Sequence, residues 1–431
     1  RSTNMNKLGL TRIMAIGASA ALALTLTGCA GGTGTDSSAN NASGVTLKFS
    51  QWWEPELPEG TFRALMDDFE KANPGIKVEL VSGPYASTKE QMIAGAASGK
   101  MADVVGLDGA WVNDFAKQGS IADLSAAMSE AGYDDSQLAS QIKVDSKTYM
   151  IPVVNFPYPM FTNVDLMKKA GVDKQPDTRS EFEAAAKQIT EKTEAAGWVV
   201  PLSLEAPNGI QNDVMSWAWA SGGTMLKDGK PDVTNDDVKS ATEFVKQLWD
   251  DGVIAPGAFT MKEQDKVEEF TNGRVGMMID SLAHINLIRE NNPNLNFDIS
   301  AMPAKDEYKG KRGMAYASWG IGISENTKNK DAAWKLVEYL LSPEANAKLC
   351  ENAHAFPGNV KAEPNFDSED PMFQKAYDIW SEGAPANEFT GLPVAEDLMR
   401  SYSQNLQKVL DGSMKIDDAL KATQKDWVSK F

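Results

Sequence analysis

The chain predicts an α/β protein of two lobes, and three observations lead there. Its 431 residues exceed what one hydrophobic core usually serves. From Val45 onward the apolar pattern alternates between period two and period 3.6, in the order strand, helix, strand, helix, strand. A second set of helical and strand patterns follows after residue 180.

Val45, Leu47 and Phe49 alternate with polar residues and predict the first strand. Phe62, Leu65, Met66 and Phe69 recur at helical spacing, and Asn73-Pro74-Gly75 forbids continuation. Ile76, Val78 and Leu80 predict the second strand, and the apolar run 102–107 suits a central parallel strand. The order βαβαβ implies a mostly parallel, doubly wound sheet flanked by helices. Helical patterns at 181–196 and 238–249, an apolar strand at 274–279 and a polar, turn-rich stretch through Asn296 build the second lobe. From about Pro371 the pattern is helical again, with Leu398, Tyr402, Leu406 and Leu410 on one face. Trp249 and Trp334 sit on apolar helix stripes and read as core.

Composition narrows the function. Lys+Arg 42 against Asp+Glu 60 gives a formal charge of -18, which repels phosphate backbones and argues against nucleic acid. Two histidines and two cysteines leave no material for zinc fingers, iron–sulfur centres or a disulfide scaffold, so neither metal nor cofactor is expected. Lys7 and Arg12 followed by the apolar run 13–26 have the form of an export signal too short to span a bilayer. Leu26-Thr27-Gly28-Cys29 resembles the lipobox of bacterial lipoproteins, which implies cleavage before Cys29 and its acylation. A plain secretory signal with an incidental cysteine is the alternative. Arg1 to Asn4 precede the first methionine, Met5, and carry no fold pattern. Residues 30–44 hold no large apolar side chain and read as a flexible tether with a reach of about 20 Å. The expectation is a body held by a lipid anchor at the outer face of the cytoplasmic membrane. Cys350 is expected to be a buried, inert thiol.

Parallel sheets bind ligands beyond the carboxyl ends of their strands. There the chain places Gln51-Trp52-Trp53-Glu54, Asp108-Gly109-Ala110-Trp111 and Asp280-Ser281. Indole faces stack on the apolar face of a pyranose and carboxylates accept from its hydroxyls, so this composition points to a carbohydrate cleft. Trp52 and Trp53 are adjacent on an extended segment and point to opposite sides, so at least one should face the cleft. Trp52 is the choice, with Glu54 beyond it.

Several segments resemble the extracellular solute-binding proteins of bacterial ABC sugar importers, the maltose-binding-protein-like group with its Gram-positive lipoproteins. They are 69–78 (FEKANPGIKV), 98–105 (SGKMADVV) leading to Trp111, 149–152 (YMIP), 161–165 (FTNVD), 270–277 (FTNGRVGM) and 319–324 (WGIGIS). The resemblance runs from about Val45 to the C-terminus. It implies a periplasmic-binding-protein-like fold, with 45–154 plus 318–364 as one lobe and 155–317 plus 365–431 as the other. It further implies an oligosaccharide held between hinged lobes, permease subunits as partners, a monomer and no catalysis.

The resemblance places ligand contacts at Asp108, Asn155, Phe156, Tyr158, Asp280 and Ser281, with Trp111 beside the first. Asp108 is equally an N-cap of the helix carrying Trp111 and Phe115, and Phe156 and Tyr158 equally pack a hinge shaped by Pro157. Of Trp217 and Trp219, which face different ways on a helix, Trp217 is taken for the cleft by analogy. Trp319 beside Gly320 reads as a stacking platform at the return crossing, and His354 with Phe356 as cleft rim. His284 and His354 lie far apart without carboxylates at ligand spacing, which disfavours a metal site. A cell-surface glycoside hydrolase and a peptide-binding importer component are the competing functions; the chain has no G-x-S-x-G motif.

Overall fold

A computed structural model describes residues 44–365 and 370–431. The export signal, Cys29 and the tether up to Ser43 lie outside the described residues. The first sheet is built from β1 (Val45–Gln51), β2 (Ile76–Ser82) and β3 (Val104–Leu107), joined by parallel β2–β1 and β1–β3 pairs as the βαβαβ pattern requires. The short β4 (Ile142–Val144) leads into β5 (Lys147–Pro157), an 11-residue strand buried along most of its length.

The second sheet begins at β6 (Met160–Asn163), so Tyr158 and Pro159 alone separate the two sheets at this crossing. β7 (Ala196–Trp198) follows, then the two-residue strands β8 (Leu226–Lys227) and β9 (Lys230–Pro231) of a hairpin, then β10 (Val275–Ile279) and β11 (Phe297–Ser300). Its order is β11-β6-β10-β7, with only β10–β7 parallel. The chain returns through β12 (Gly313–Ile323), which pairs antiparallel with both β3 and β5. β13 (Phe356–Pro357) closes the first sheet's edge and β14 (Ala384–Ala386) runs beside the start of β12. Both sheets are therefore mixed. The long strands β5 and β12 run in opposite directions because one leaves the first lobe and the other re-enters it.

The expected helices form at Thr61–Ala72, Arg179–Lys192, Asp236–Asp250, Pro371–Glu382 and Ala395–Leu410. Thr178, Asn235 and Asp370 cap three of them by accepting from backbone N–H groups of the first turn. The helix after Thr178 stops at Lys192, because 196–198 is taken by β7 beside β10. The stretch expected to be turn-rich carries a helix at Ile285–Asn291, where Ile285 and Ile288 are buried. Leu398, Tyr402, Leu406 and Leu410 are buried, and Trp427 of the last helix donates its Nε1–H to the Leu398 carbonyl at 2.8 Å. Among the described residues no helix is long and apolar enough to cross a membrane.

Where β12 begins, a Cβ on Gly313 would stand 1.8 Å from the Trp219 carbonyl oxygen. Gly313→Ala is expected to lower the unfolding free energy by about 1–3 kcal/mol. Urea unfolding at constant m-value measures this; an unchanged midpoint would show that the backbone yields without cost.

Candidate ligand-binding site

A cavity of about 620 Å³ opens between the turn after β1 and the helix Glu263–Thr271 of the second lobe. The Gln51 side chain creates that turn. Its Oε1 accepts from the backbone N–H of both Trp53 and Glu54 at 2.8 Å, while its Nε2 donates to Ser82 Oγ at 2.7 Å. The strand end so folded sends Trp53 into the core, stacked on Trp319 at 5.4 Å and 7°, and leaves Trp52 on the cavity wall. Trp52 meets Tyr85 edge-on at 5.3 Å and Trp111 at 5.4 Å. Tyr85 donates its hydroxyl to Asp108 Oδ2 at 2.8 Å, and Asp108 Oδ1 accepts from Ala110 N at 2.9 Å. Burial, then the Asp108 charge, pushes the Tyr85 phenol well above its ordinary range, so it remains a donor.

The opposite wall is ionic. Lys266 is fully buried, with its ammonium 3.1 Å from Asp213 Oδ1, 3.2 Å from Asp280 Oδ1 and 2.6 Å from the Ile279 carbonyl. Asp280 Oδ2 lies 2.8 Å from His284 Nδ1, and His284 Nε2 lies 3.1 Å from Glu56 Oε1. A chain of charges thus runs Asp213–Lys266–Asp280–His284–Glu56 and ends on the first lobe's turn. Burial alone would lower the pKa of Lys266 and of His284. Asp213 and Asp280 hold the first above its ordinary value, and Asp280 and Glu56 hold the second well above it. Asp280 is the converse case: burial raises it, but His284 and Lys266 bring it below the ordinary carboxylate value.

A π-type turn at Ile210–Val214, a rare geometry concentrated at functional sites, carries Asp213 to Lys266 and Asn212 to a narrow pocket beside the cavity. Glu263 accepts from the Tyr158 hydroxyl at 2.8 Å and from Asn208 Nδ2 at 3.3 Å. Glu263, Asp280 and His284 bring ligand atoms within 4.8 Å of one another, so carboxylates do surround His284, contrary to the spacing argument. Lys266 and His284 already occupy Asp280, both imidazole nitrogens are hydrogen-bonded, and Glu263 holds Tyr158 and Asn208, so the cluster is a network of ion pairs and hydrogen bonds.

The site residues expected from sequence separate into two groups. Trp52 lines the main cavity. Asp108, Phe156, Tyr158, Ser281 and Trp319 line a narrow pocket of about 30 Å³ that shares Trp52, Glu56, Tyr85 and Glu263 with it. Trp111 lines a second arm of about 190 Å³, which meets the first at Tyr85 and Asn208. Asp280 lies behind the wall and acts on it through His284.

Four residues stand elsewhere. Glu54 accepts from Ser82 Oγ at 3.0 Å and lines no described cavity, because the 3₁₀ turn Glu54–Glu56 rotates Glu56 inward in its place. Asn155 accepts from Ser318 Oγ at 2.6 Å within the β5–β12 ladder. Trp217 is fully buried, ring against Phe182 at 4.9 Å and Phe244 at 4.7 Å, so it is core. Trp219 is also off the cavities, its Nε1–H held by Glu388 at 2.7 Å. His354 caps a helix in the left-handed region (φ 56°) and faces Asp370 at 3.4 Å, away from the cleft. Asp108 does not cap the helix at Val112–Lys117; Trp111 holds the N-cap position.

Sequence reasoning missed Glu56, Tyr85, Asn208, Glu263 and Lys266. The signal for the last was present: Lys266 occupies a stripe with Val267, Phe270 and Thr271, and a lysine on a buried stripe needs carboxylate partners.

Two substitutions test the cavity wall and the ring behind it. Both side chains are buried, so each variant should lower stability by about 3–5 kcal/mol. Trp52→Ala removes the ring on the main cavity and should also shrink the melting shift that ligand gives; Trp319→Ala removes the ring stacked on Trp53 and edged by Phe156 at 4.8 Å. Thermal melts with and without ligand check both; a full ligand shift in Trp52→Ala would contradict its place in the site.

With two lobes and a walled cleft between them, the chain has the form of a solute-capturing protein. Residues 55–347 match the family model of the bacterial extracellular solute-binding proteins, and the chain belongs to that family, whose members bind solutes and are not enzymes. It is 29% identical over 311 residues to a binding protein of Brucella abortus, covering 71% of this chain and 74% of that one. It is 24% identical over 368 residues to the diacetylchitobiose binding protein DasA of Streptomyces coelicolor, covering 82% of this chain and 83% of the relative. In fold it is similar to the GacH receptor of Streptomyces glaucescens, solved unliganded and with acarbose, at a TM-score of 0.74 and 23% identity over 90% of this chain and 98% of the receptor.

Proposed function

We propose that the chain is the substrate-binding subunit of an ABC importer, which captures an oligosaccharide between its lobes and delivers it to permease subunits in the membrane. The observation that carries this reading is the cavity itself. One wall offers the indole of Trp52 and the phenol of Tyr85, and the other offers Glu263 and Asn208, so a ring can rest on an apolar face while its hydroxyls meet acceptors and donors. The ligands of DasA and of the GacH receptor, diacetylchitobiose and acarbose, support a saccharide. The lobes are assigned to 45–154 plus 318–364 and to 155–317 plus 365–431. The lipobox-like segment at Cys29 supports a lipid anchor on the extracellular face, and the protein acts as a monomer.

A melting screen against gluco-, fructo-, galacto-, xylo-, arabino- and manno-oligosaccharides, with peptides as controls, tests the reading. A ligand that binds only the folded state raises the melting temperature. One saccharide series should do so; a rise with peptides alone would replace the saccharide by a peptide.

A further inference from the structure

The charges that face the cleft are unequal, and the inequality bears on which saccharide enters. Glu56, Glu263, Asp265 and Glu268 line the main cavity, against Lys262 and His284. Each cation is committed to a carboxylate. Lys262 lies 2.9 Å from Glu205, His284 is held between Asp280 and Glu56, and Lys266 is sealed behind the wall by Asp213 and Asp280. In the second arm Lys89 pairs with Glu396 and its ammonium also lies over the Trp111 ring, at 5.7 Å from the centroid.

The carboxylates are not all committed in return. Asp265 is turned back to the Lys262 N–H at 2.9 Å, but Glu263 holds only neutral donors, Tyr158 and Asn208. Glu268 is exposed and makes no direct ion pair among the described residues; its charge reaches Arg274, which Glu269 holds at 2.8 Å. It stands one turn from Gln264 and next to Val267 on the helix stripe that forms the wall. A ligand in this cavity therefore meets spare acceptors and negative charge, and no cation left over for an anionic group.

We infer that the cleft selects its saccharide by charge: it takes uncharged units, favours a unit bearing a protonated amine placed toward Glu263 and Glu268, and rejects units bearing carboxylate, sulfate or phosphate. This rests on the saccharide reading above. An ammonium converts a neutral hydrogen bond to these carboxylates into a charge-assisted one, about twice as strong. A uronate brings like charges together at the wall, which weakens its binding by about tenfold or more at close range.

Calorimetric titration of the full chain with three pools of two- to five-unit oligosaccharides tests this. The pools are neutral (gluco-, xylo- and manno-series with N-acetylglucosamine oligomers), amine-bearing (glucosamine oligomers) and anionic (galacturonic and mannuronic oligomers). Binding is expected in the first two pools and none in the third. Glucosamine oligomers should bind about fivefold or more tightly than their N-acetylated forms, and the margin should shrink in high salt. Glu268→Gln should remove most of that margin, weakening the amine-bearing pool more than the neutral one. An anionic oligosaccharide that binds within tenfold of the best neutral one, or an amine that gains nothing over its acetylated form, overturns charge selection while the saccharide reading stands. No binding in any pool overturns the saccharide reading, and charge selection with it.

Discussion

Replacing Lys266 by methionine lowers the stability of the protein by about 3–5 kcal/mol, since removal of one partner leaves buried charge uncompensated. Asp213 and Asp280 both lie within 3.2 Å of the ammonium, and all three side chains are almost wholly buried. Methionine keeps the volume, so the loss measures charge more than packing. Without the ammonium, burial holds the Asp213 carboxyl still further above its unfolded-state value, while Asp280 keeps His284, and the fold is then relatively favoured where Asp213 is protonated. A group with a raised folded pKa loses its stabilisation as pH rises, so the deficit of the variant is larger at pH 8 than at pH 5. Urea unfolding at both pH values measures it, and Lys266→Met with Asp213→Asn should recover part of the loss. A deficit below about 1 kcal/mol that is the same at both pH values would contradict the account.

The second large effect concerns His284, which joins the lobes. Both of its ring nitrogens face carboxylates, Asp280 at 2.8 Å and Glu56 at 3.1 Å, so both must carry protons. Lys266 and Glu263 are the other charged groups around it. Its pKa is held well above 6.5 in this arrangement: burial opposes the charge, and Asp280 and Glu56 overcome it. The proton is bound more tightly in this state than in an opened one, so closure is fully supported below about pH 6.5 and weakens as pH rises through the raised value. Ligand affinity should fall toward alkaline pH, and His284→Leu should reduce it by about 10–100-fold at pH 7 and flatten the pH profile. Asp213, pushed up to about 8 by burial against the pull of Lys266, also ionises above neutral pH. Its ion-pair partner belongs to the second lobe, and the His284 variant therefore separates the two groups. A pH profile that keeps its slope in His284→Leu would assign the dependence elsewhere.

Fold and site differ in how far the sequence exposes them. Period-two and period-3.6 patterns are local, and the strands and helices they mark form within a few residues of expectation. The antiparallel run of β5 beside β12 joins segments about 165 residues apart, and no local pattern encodes it. Within the site, the direction of a side chain depends on its turn. Trp52 and Trp53 have the same local claim, and the Gln51 amide decides between them. Glu54 and Glu56 flank one proline, and the 3₁₀ geometry selects the second. Trp217 and Trp219 are both enclosed, which no spacing could reveal, since the rings that cover Trp217 come from the helices Arg179–Lys192 and Asp236–Asp250.

The protein's proposed act is capture of an oligosaccharide between the walls that carry Trp52 and Glu263. Calorimetric titration of the wild-type chain, Trp52→Ala and Glu263→Gln with the saccharide that raises the melting temperature tests it most directly, with the mixture checked for products afterwards. One ligand per chain, affinity reduced about tenfold or more in each variant, and an unchanged saccharide are expected. Affinity equal to wild type in both variants would place the ligand elsewhere, and a shortened saccharide would contradict a binding protein.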